Sequence, residues 1–269
     1  MTIHLRSITL QQWSEEEPHG FPFNLPLIRS LDTLEFSAPV TFFVGENGSG
    51  KSTLLEAIAC AVGSVTVGSE SVTTDKTLAD VRRLAARLRA AWTKRTHKGF
   101  FLRAEDFFGY ARKLSQTRAE LEEDLRQADR ETQGRSIAAA QYARMPYAHE
   151  LYDLNQRYGS GLDAHSHGES FLALFQSRFV PEGLYLLDEP EAPLSPIRQM
   201  AMISILRDMI EQKSQFIIAT HSPILMAFPG AVIYDFDRLP LQTVHYQDLE
   251  HVRLTRDFLD NPGAYLNRL

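Results

Sequence analysis

The sequence of 269 residues predicts an α/β fold with a mostly parallel sheet, and three observations support this prediction. Short apolar runs that end in polar residues recur along the chain, as is typical of buried strands. Helix-like stretches separate these runs, and strands that alternate with helices are typical of parallel sheets covered by helices on both faces. A glycine-rich segment also joins one apolar run to a helix-like stretch, which is a common setting for anion binding.

The individual elements follow from the same patterns. The predicted strands are apolar and lie at 3–10, 34–44, 99–102, 184–187, 216–219 and 232–234. Helices are predicted at 53–63 and at 77–93, where apolar residues recur at helical spacing. Residues 104–159 are charged and predicted to be helical, with interruptions at Gly134 and Pro146.

The composition is that of an ordinary globular protein, with 43% hydrophobic and 23% charged residues. Cys60 is the single cysteine, so an intrachain disulfide is excluded and a reducing compartment is favoured. The first residues lack the apolar core of a signal peptide, and no stretch approaches the roughly 20 apolar residues that a membrane span needs. We therefore expect a cytoplasmic protein that does not insert into membranes directly.

Charge is unevenly distributed along the chain. The net charge is −6, yet residues 82–135 hold fourteen Lys and Arg against eight Asp and Glu. This segment carries +6 and the remainder −12. A basic surface of this kind attracts nucleic acid, whereas the simpler interpretation is a solvated helical face.

A phosphate-binding loop is the most specific motif of the sequence. The pattern G-x-x-x-x-G-K-[ST] is matched by Gly45, Glu46, Asn47, Gly48, Ser49, Gly50, Lys51, Ser52 and Thr53. The glycines let backbone N–H groups surround a phosphate, and the following helix contributes the positive end of its dipole. Lys51 is expected to contact the β- and γ-phosphates and Ser52 to ligate Mg²⁺. The alternative is a glycine-rich turn before a helix.

Acidic residues follow a second apolar run, at Asp188 and Glu189. Ligands of open α/β sheets bind at the carboxyl ends of strands, where these side chains are expected. Asp188 is predicted to hold Mg²⁺ and Glu189 to act as the general base that activates water. An ordinary acidic turn after a strand is the alternative.

Two further motifs give the chain a family resemblance. Ser166-His167-Gly168-Glu169-Ser170 precedes the acidic strand, and His221 follows the next predicted strand. In this order the motifs resemble those of the ABC-type ATPase superfamily. The resemblance implies that Ser166, Gly168 and Glu169 form the signature motif, which faces the γ-phosphate of a second subunit in a head-to-head dimer, and that His221 senses the γ-phosphate. Ser166 with Glu169 also fits a helix capping box.

One departure bears on the subfamily. Transporter ATPases of this superfamily carry a glutamine where this chain has Glu105, which either takes a metal-side role or is an acid at a helix start. Residues 100–105 and 258–266 are similar to those of small stand-alone predicted ATPases related to SMC-like and RecF-like heads. Phe21 and Phe23 are candidates for adenine stacking, with a core role favoured for both.

The resemblance implies a P-loop NTPase of ABC-ATPase type with a β-rich N-terminal lobe. We expect one domain over 1–269, with a nucleotide-binding core at 1–76 and 171–269 and an inserted helical subdomain at 77–170. The expected activity is Mg²⁺-dependent ATP hydrolysis in a homodimer that acts on nucleic acid or a soluble protein effector. The alternatives are the ATP-binding subunit of a membrane transporter and a P-loop kinase, and the signature motif argues against the kinase.

Overall fold

A computed structural model describes residues 2–11, 20–67, 72–158 and 167–267. The strands are β1 (Leu5–Leu10), β2 (Thr33–Glu35), β3 (Val40–Val44), β4 (Leu88–Trp92), β5 (Gly99–Arg103), β6 (Leu184–Asp188), β7 (Gln215–Ala219), β8 (Val232–Asp235) and β9 (Gln242–Thr243). The helices are α1 (Pro26–Ser30), α2 (Lys51–Val62), α3 (Ala79–Ala85), α4 (Ala104–Glu131), α5 (Ile137–Tyr158), α6 (His167–Arg178), α7 (Pro196–Glu211), α8 (Pro223–Met226), α9 (Glu250–Asp260) and α10 (Pro262–Leu266).

A six-stranded sheet forms the centre of the described structure, in the order β5-β6-β7-β3-β8-β9. Its first five strands pair in parallel, and β9 pairs antiparallel with β8. Strands β3, β6 and β7 are buried along their whole length, as expected for strands covered on both faces. Successive side chains such as Phe42 and Phe43 belong to hydrophobic clusters on opposite faces. The predicted α/β fold with a mostly parallel sheet is confirmed.

A smaller antiparallel sheet of order β2-β1-β4 forms the N-terminal lobe. Gln215, at the start of β7, joins this sheet to the central one. Its Oε1 accepts from the backbone N–H groups of His4 and Leu5, both at 2.8 Å, and its Nε2 donates to the carbonyl of Leu5 at 2.9 Å. The Gln215 side chain is fully buried, so these bonds connect the two sheets without access to water.

Two predicted elements are wrong. The helix at 77–93 is instead a short helix, α3, followed by strand β4, which pairs antiparallel with β1. The apolar spacing of 84, 88 and 92 fits a helix, but pairing along the open side of β1 outweighs this weak local preference. The strand at 34–44 is two strands in different sheets, since Pro39 lies between β2 and β3 and has no N–H to continue a ladder.

Helices α4 and α5 form an antiparallel hairpin of 28 and 22 residues. Arg118, in the middle of α4, donates to Asn155 at 2.6 Å, and Arg144 lies 3.3 Å from Asp129 closer to the connection between the two helices. The interruption near Gly134 is confirmed, but Pro146 lies inside α5 and does not end it. Pro146 is exposed, so water can reach the carbonyl group that loses its intrahelical partner.

No helix in the described part of the chain combines the length and apolar character that crossing a bilayer requires.

Candidate functional site

The candidate site lies at the carboxyl edge of the central sheet, where β6, β7 and β3 are neighbours. The phosphate loop follows β3, Asp188 ends β6, and His221 comes two residues after β7. Because parallel strands end at the same edge, three motifs that are far apart in sequence meet there. A cleft at this edge is lined by Phe21, Leu25, Asn47, Gly48, Gly50, Lys51, Ser52, Thr53 and Glu189.

The phosphate loop has the backbone that its glycines allow. Gly48 and Gly50 adopt φ values of +85° and +98°, a region that favours glycine, and a Cβ at Gly50 would lie 2.8 Å from Leu27 Cδ2. Helix α2 begins directly after the loop, at Lys51, with no side chain capping its first turn. Its N–H groups are therefore directed at the cleft, in the arrangement that binds phosphate.

Lys51 lies across the loop. Its Nζ donates to the carbonyl groups of Gly45 at 2.7 Å and Glu46 at 2.8 Å. Burial lowers the pKa of Lys51, while the carboxylates of Asp237 and Glu189 oppose this effect. The ammonium group is thus held in place beside the loop before any phosphate arrives.

Ser52 and Asp188 are adjacent, as the sequence predicted for a Mg²⁺ site. The Ser52 hydroxyl donates to Asp188 Oδ1 at 3.1 Å. Burial raises the pKa of Asp188 to about 7, with the charges of Glu56 and Glu189 adding to the shift. A cation beside this desolvated carboxylate would favour its charged form, and one hydroxyl plus one carboxylate suits Mg²⁺ that takes its other ligands from phosphate and water. The residues therefore fit the ion.

Glu189 and His221 face each other, with Glu189 Oε1 3.7 Å from His221 Nε2. Glu189 adopts a left-handed φ of +48°, which its N–H bond to the Ala219 carbonyl at 2.9 Å helps to hold. His221 Nε2 is buried and has no hydrogen-bond partner among the described residues. Unpartnered polar atoms of this kind are expected where a ligand completes the site.

The sequence prediction missed two carboxylates of the site. Glu191 Oε1 accepts from the backbone N–H of His221 at 2.7 Å, and burial raises the pKa of Glu191. Asp237, which follows β8, accepts from the backbone N–H of Glu46 in the phosphate loop. No motif marks Asp237, although an acid just after a strand beside β3 was a signal that could have identified it.

The remaining candidates fall partly outside the described residues. Ser166 lies outside them, as do the side chains of Glu105 and Glu169. Helix α6 begins at His167, so Gly168 is in its first turn. Phe23 is buried in the core, as favoured, whereas Phe21 is 47% exposed and lines the cleft, so the core role is wrong for Phe21.

Two family models match the chain. The first, an AAA domain, matches residues 24–136, and the second, described as "AAA domain, putative AbiEii toxin, Type IV TA system", matches residues 170–227. No curated protein matches the sequence.

Solved structures with a similar fold share little sequence with the chain. The Smc head domain from Pyrococcus furiosus, with an extended coiled coil and bound to the C-terminal domain of ScpA, is 12% identical, with a TM-score of 0.45 over 95% of this chain and 99% of that one. The cbiO1 protein from Clostridium perfringens, part of the ABC transporter complex cbiONQ, is 13% identical, with a TM-score of 0.44 over 99% and 100%. The SMC head domain from Thermotoga maritima is 15% identical, with a TM-score of 0.41 over 87% and 94%.

The family models cover both halves of the site, because one contains the phosphate loop and the other contains Asp188, Glu189 and His221. On these two matches and on the geometry of the phosphate loop, the chain is a P-loop ATPase, an ATP-hydrolysing enzyme.

Proposed function

We propose that this ATPase hydrolyses ATP with Mg²⁺ in a head-to-head dimer, and that closing and opening of the dimer drives a soluble system resembling the SMC and RecF proteins. The observation that carries the proposal is the convergence of Ser52, Asp188, Glu189 and His221 at one sheet edge beside the phosphate loop. Hydrolysis needs a phosphate cradle, a metal position and a base, and this edge offers groups suited to each.

Glu189 is the proposed general base. Its side chain is 45% exposed at the cleft, so a water molecule can reach it. His221 lies 3.7 Å away and can hydrogen-bond the γ-phosphate, since its Nε2 is free of other partners among the described residues. Glu191 fixes the backbone of His221 and so orients this ring indirectly.

Mg²⁺ would be held by Ser52 and Asp188, where it would neutralise charge on the phosphates. Glu105 is a further candidate ligand on sequence grounds alone. The loop residues from Gly45 to Thr53 would hold the phosphates, and exposed Phe21 would stack on the adenine.

The second subunit would complete the site. Ser166, Gly168 and Glu169 would approach the γ-phosphate of the partner, with the N-terminal turn of the 12-residue helix α6 supplying N–H groups. In this proposal the chain is one domain that works in the cytoplasm. The segment 77–170, expected to be a helical subdomain, also supplies β4 and β5 to the two sheets, and its helical part carries the signature motif.

The kind of partner is inferred from the distribution of charged residues along the chain. The positive excess is concentrated at 82–103, which holds eight Lys and Arg and no Asp or Glu. At least five of these cations already have partners within the chain. Arg103 pairs with Glu56, Lys94 and Lys98 pair with Glu182, Arg83 pairs with Asp80, and Arg82 donates to the carbonyl groups of Val72 and Asp75. The net positive charge of this segment favours nucleic acid as the partner, and a soluble protein effector is the second candidate. The transporter subunit stays the alternative function.

The first test of the proposed hydrolysis is a measurement of ATP turnover. Purified wild-type protein, Lys51→Ala, Glu189→Gln and the exposed control Glu211→Gln would be assayed for phosphate release with Mg²⁺ and with EDTA. We expect Lys51→Ala to lose ATP binding and Glu189→Gln to bind ATP while losing at least about 100-fold in turnover. Turnover by Glu189→Gln close to that of Glu211→Gln would remove Glu189 from the base role.

The dimer and the partner need a second experiment. Glu189→Gln would be held in MgATP, its mass measured by light scattering, and its bound molecules recovered from native cells and identified. An ATP-dependent dimer that carries nucleic acid or a soluble effector supports the proposal. A monomer in saturating MgATP contradicts the dimer, and recovery of an integral membrane protein supports the transporter alternative.

A further inference from the structure

Asp237 contacts the phosphate loop from outside the nucleotide motifs. Its two carboxylate oxygens accept from the same N–H group, that of Glu46, at 2.9 Å and 3.0 Å. The two residues are separated by 191 positions in sequence. Both oxygens thus face this N–H group, and the contact restrains the first turn of the loop.

The turn that carries Asp237 is itself firmly placed. Strand β8 pairs in parallel with β3, and the next residue, Phe236, donates its N–H to the Val44 carbonyl at 2.7 Å. The Phe236 ring is 2% exposed and packs on Phe43, with ring centroids 4.9 Å apart. Asp237 in turn donates its N–H to Asp235 Oδ1 at 3.0 Å. The carboxylate is therefore delivered to the loop by the core of the sheet.

Asp237 and Lys51 hold the same short stretch of loop. Lys51 Nζ donates hydrogen bonds to the carbonyl groups of Gly45 and Glu46, while Asp237 accepts one from the N–H of Glu46. The fit is close, because a Cβ added at Gly45 would lie 2.9 Å from Asp237 Oδ1. The start of the loop is thus fixed by one cation and one anion, neither of which is a neighbour of Glu46 in sequence.

We propose that Asp237 is a positioning residue for ATP binding, which fixes the first turn of the phosphate loop so that the following N–H groups are already arranged for phosphate. Ordering a flexible loop at the moment of binding reduces affinity, and a loop held in advance avoids this cost. Glu46 is exposed, so water can replace the lost acceptor when Asp237 is removed. The fold is expected to tolerate the change, and the effect belongs to the binding of ATP.

Three variants test this role. Asp237→Ala removes the acceptor, Asp237→Asn keeps one acceptor oxygen without the charge, and Asp208→Ala is a control on the exposed surface of α7. The dissociation constant of a fluorescent ATP analogue, KM, kcat and the thermal midpoint would be measured for each. We expect Asp237→Ala to raise the dissociation constant and KM about tenfold, the usual effect of losing one such bond, with kcat within about threefold of wild type.

The conservative variant and the control decide the outcome. We expect Asp237→Asn to stay within about threefold of wild type in KM, and all three thermal midpoints to agree within about 2 °C, because the water-accessible contact adds little stability. The inference is overturned if Asp237→Ala binds the analogue as tightly as Asp208→Ala, if Asp237→Asn shows the same loss of affinity as Asp237→Ala, or if the thermal midpoint of Asp237→Ala falls while its KM rises.

The inference rests on ATP binding, and its failure can be separated from that of the proposed function. Wild-type protein that binds the analogue without Mg²⁺-dependent turnover contradicts the proposed hydrolysis, while the binding comparison still tests Asp237. Wild-type turnover with equal affinity in Asp237→Ala and Asp208→Ala contradicts the role of Asp237 alone.

Discussion

Polar side chains contribute differently to stability in the core formed by the two sheets and in the α4–α5 hairpin. In the core, Gln215 is fully buried and makes three hydrogen bonds between two sheets, and Asp188 is buried at the nucleotide edge. On the hairpin, Arg126 pairs with Glu122 at 3.6 Å and Glu123 at 3.3 Å, but its side chain is 63% exposed. The two regions contain the same kinds of groups with very different access to water.

The difference shows that desolvation, more than the number of contacts, determines what a polar group contributes. A buried donor or acceptor that loses its partner keeps the full cost of having left water. An exposed ion pair exchanges its partner for water and screening salt, so its removal costs little. Four substitutions and one matched control measure this contrast.

The largest effect is expected at Gln215. Gln215→Leu leaves the N–H groups of His4 and Leu5 and one carbonyl without partners, and we expect a loss of about 4 kcal/mol in the free energy of unfolding. The matched control is Gln116→Leu in the hairpin. There the Gln116 side chain donates a hydrogen bond to Glu120 at 3.2 Å on the exposed surface. Urea unfolding would measure both, and losses of similar size would contradict the contrast.

The second largest effect is expected at Arg103. Its guanidinium lies 2.8 Å from Glu56 and 3.6 Å from Asp75, and its side chain is only 14% exposed. Arg103→Ala leaves both carboxylates without this cation in a poorly solvated place, so we expect a loss of about 3 kcal/mol in unfolding free energy. A loss below about 1 kcal/mol in urea unfolding would show that water enters this cluster.

The burial of Asp188 is expected to make the stability of the protein depend on pH. Its pKa is raised to about 7 in the folded protein, so the folded state holds this proton more tightly than the unfolded chain does. The stability of the protein without nucleotide should therefore fall as pH rises from about 4 to 7, by about 3 kcal/mol from this group. Urea midpoints at pH 5 and 7.5, in EDTA, would show a smaller decrease for Asp188→Asn. Equal decreases in wild type and variant would contradict the shift.

Sequence reasoning predicted the parts that local pattern determines. The phosphate loop, the buried strands β6 and β7 and the order of the motifs follow from short segments with strong patterns. Strand β4 was predicted as a helix, because its identity depends on pairing with β1 far away in sequence. The contacts of Gln215 and Asp237 could not be predicted either, since each joins positions about 200 residues apart.

Site residues divide in the same way. Lys51, Ser52, Asp188 and Glu189 lie in motifs whose spacing implies their chemistry, and the structure brings them together. Glu191 and Asp237 act on backbone N–H groups of other motifs, and such a role leaves no residue pattern in one sequence. These two roles become apparent only from the arrangement of the strand ends in the folded structure.

The smallest effect is expected at Arg126, which serves as the exposed counterpart of Arg103. Arg126→Ala removes two surface ion pairs but introduces the residue with the highest helix propensity, so we expect a change within about 0.5 kcal/mol in either direction. Urea unfolding at low salt and at 0.5 M NaCl would measure it, since screening should remove what electrostatic contribution there is. A loss close to that of Arg103→Ala would mean that the hairpin charges form a cooperative network, and desolvation would no longer explain the difference between the two regions.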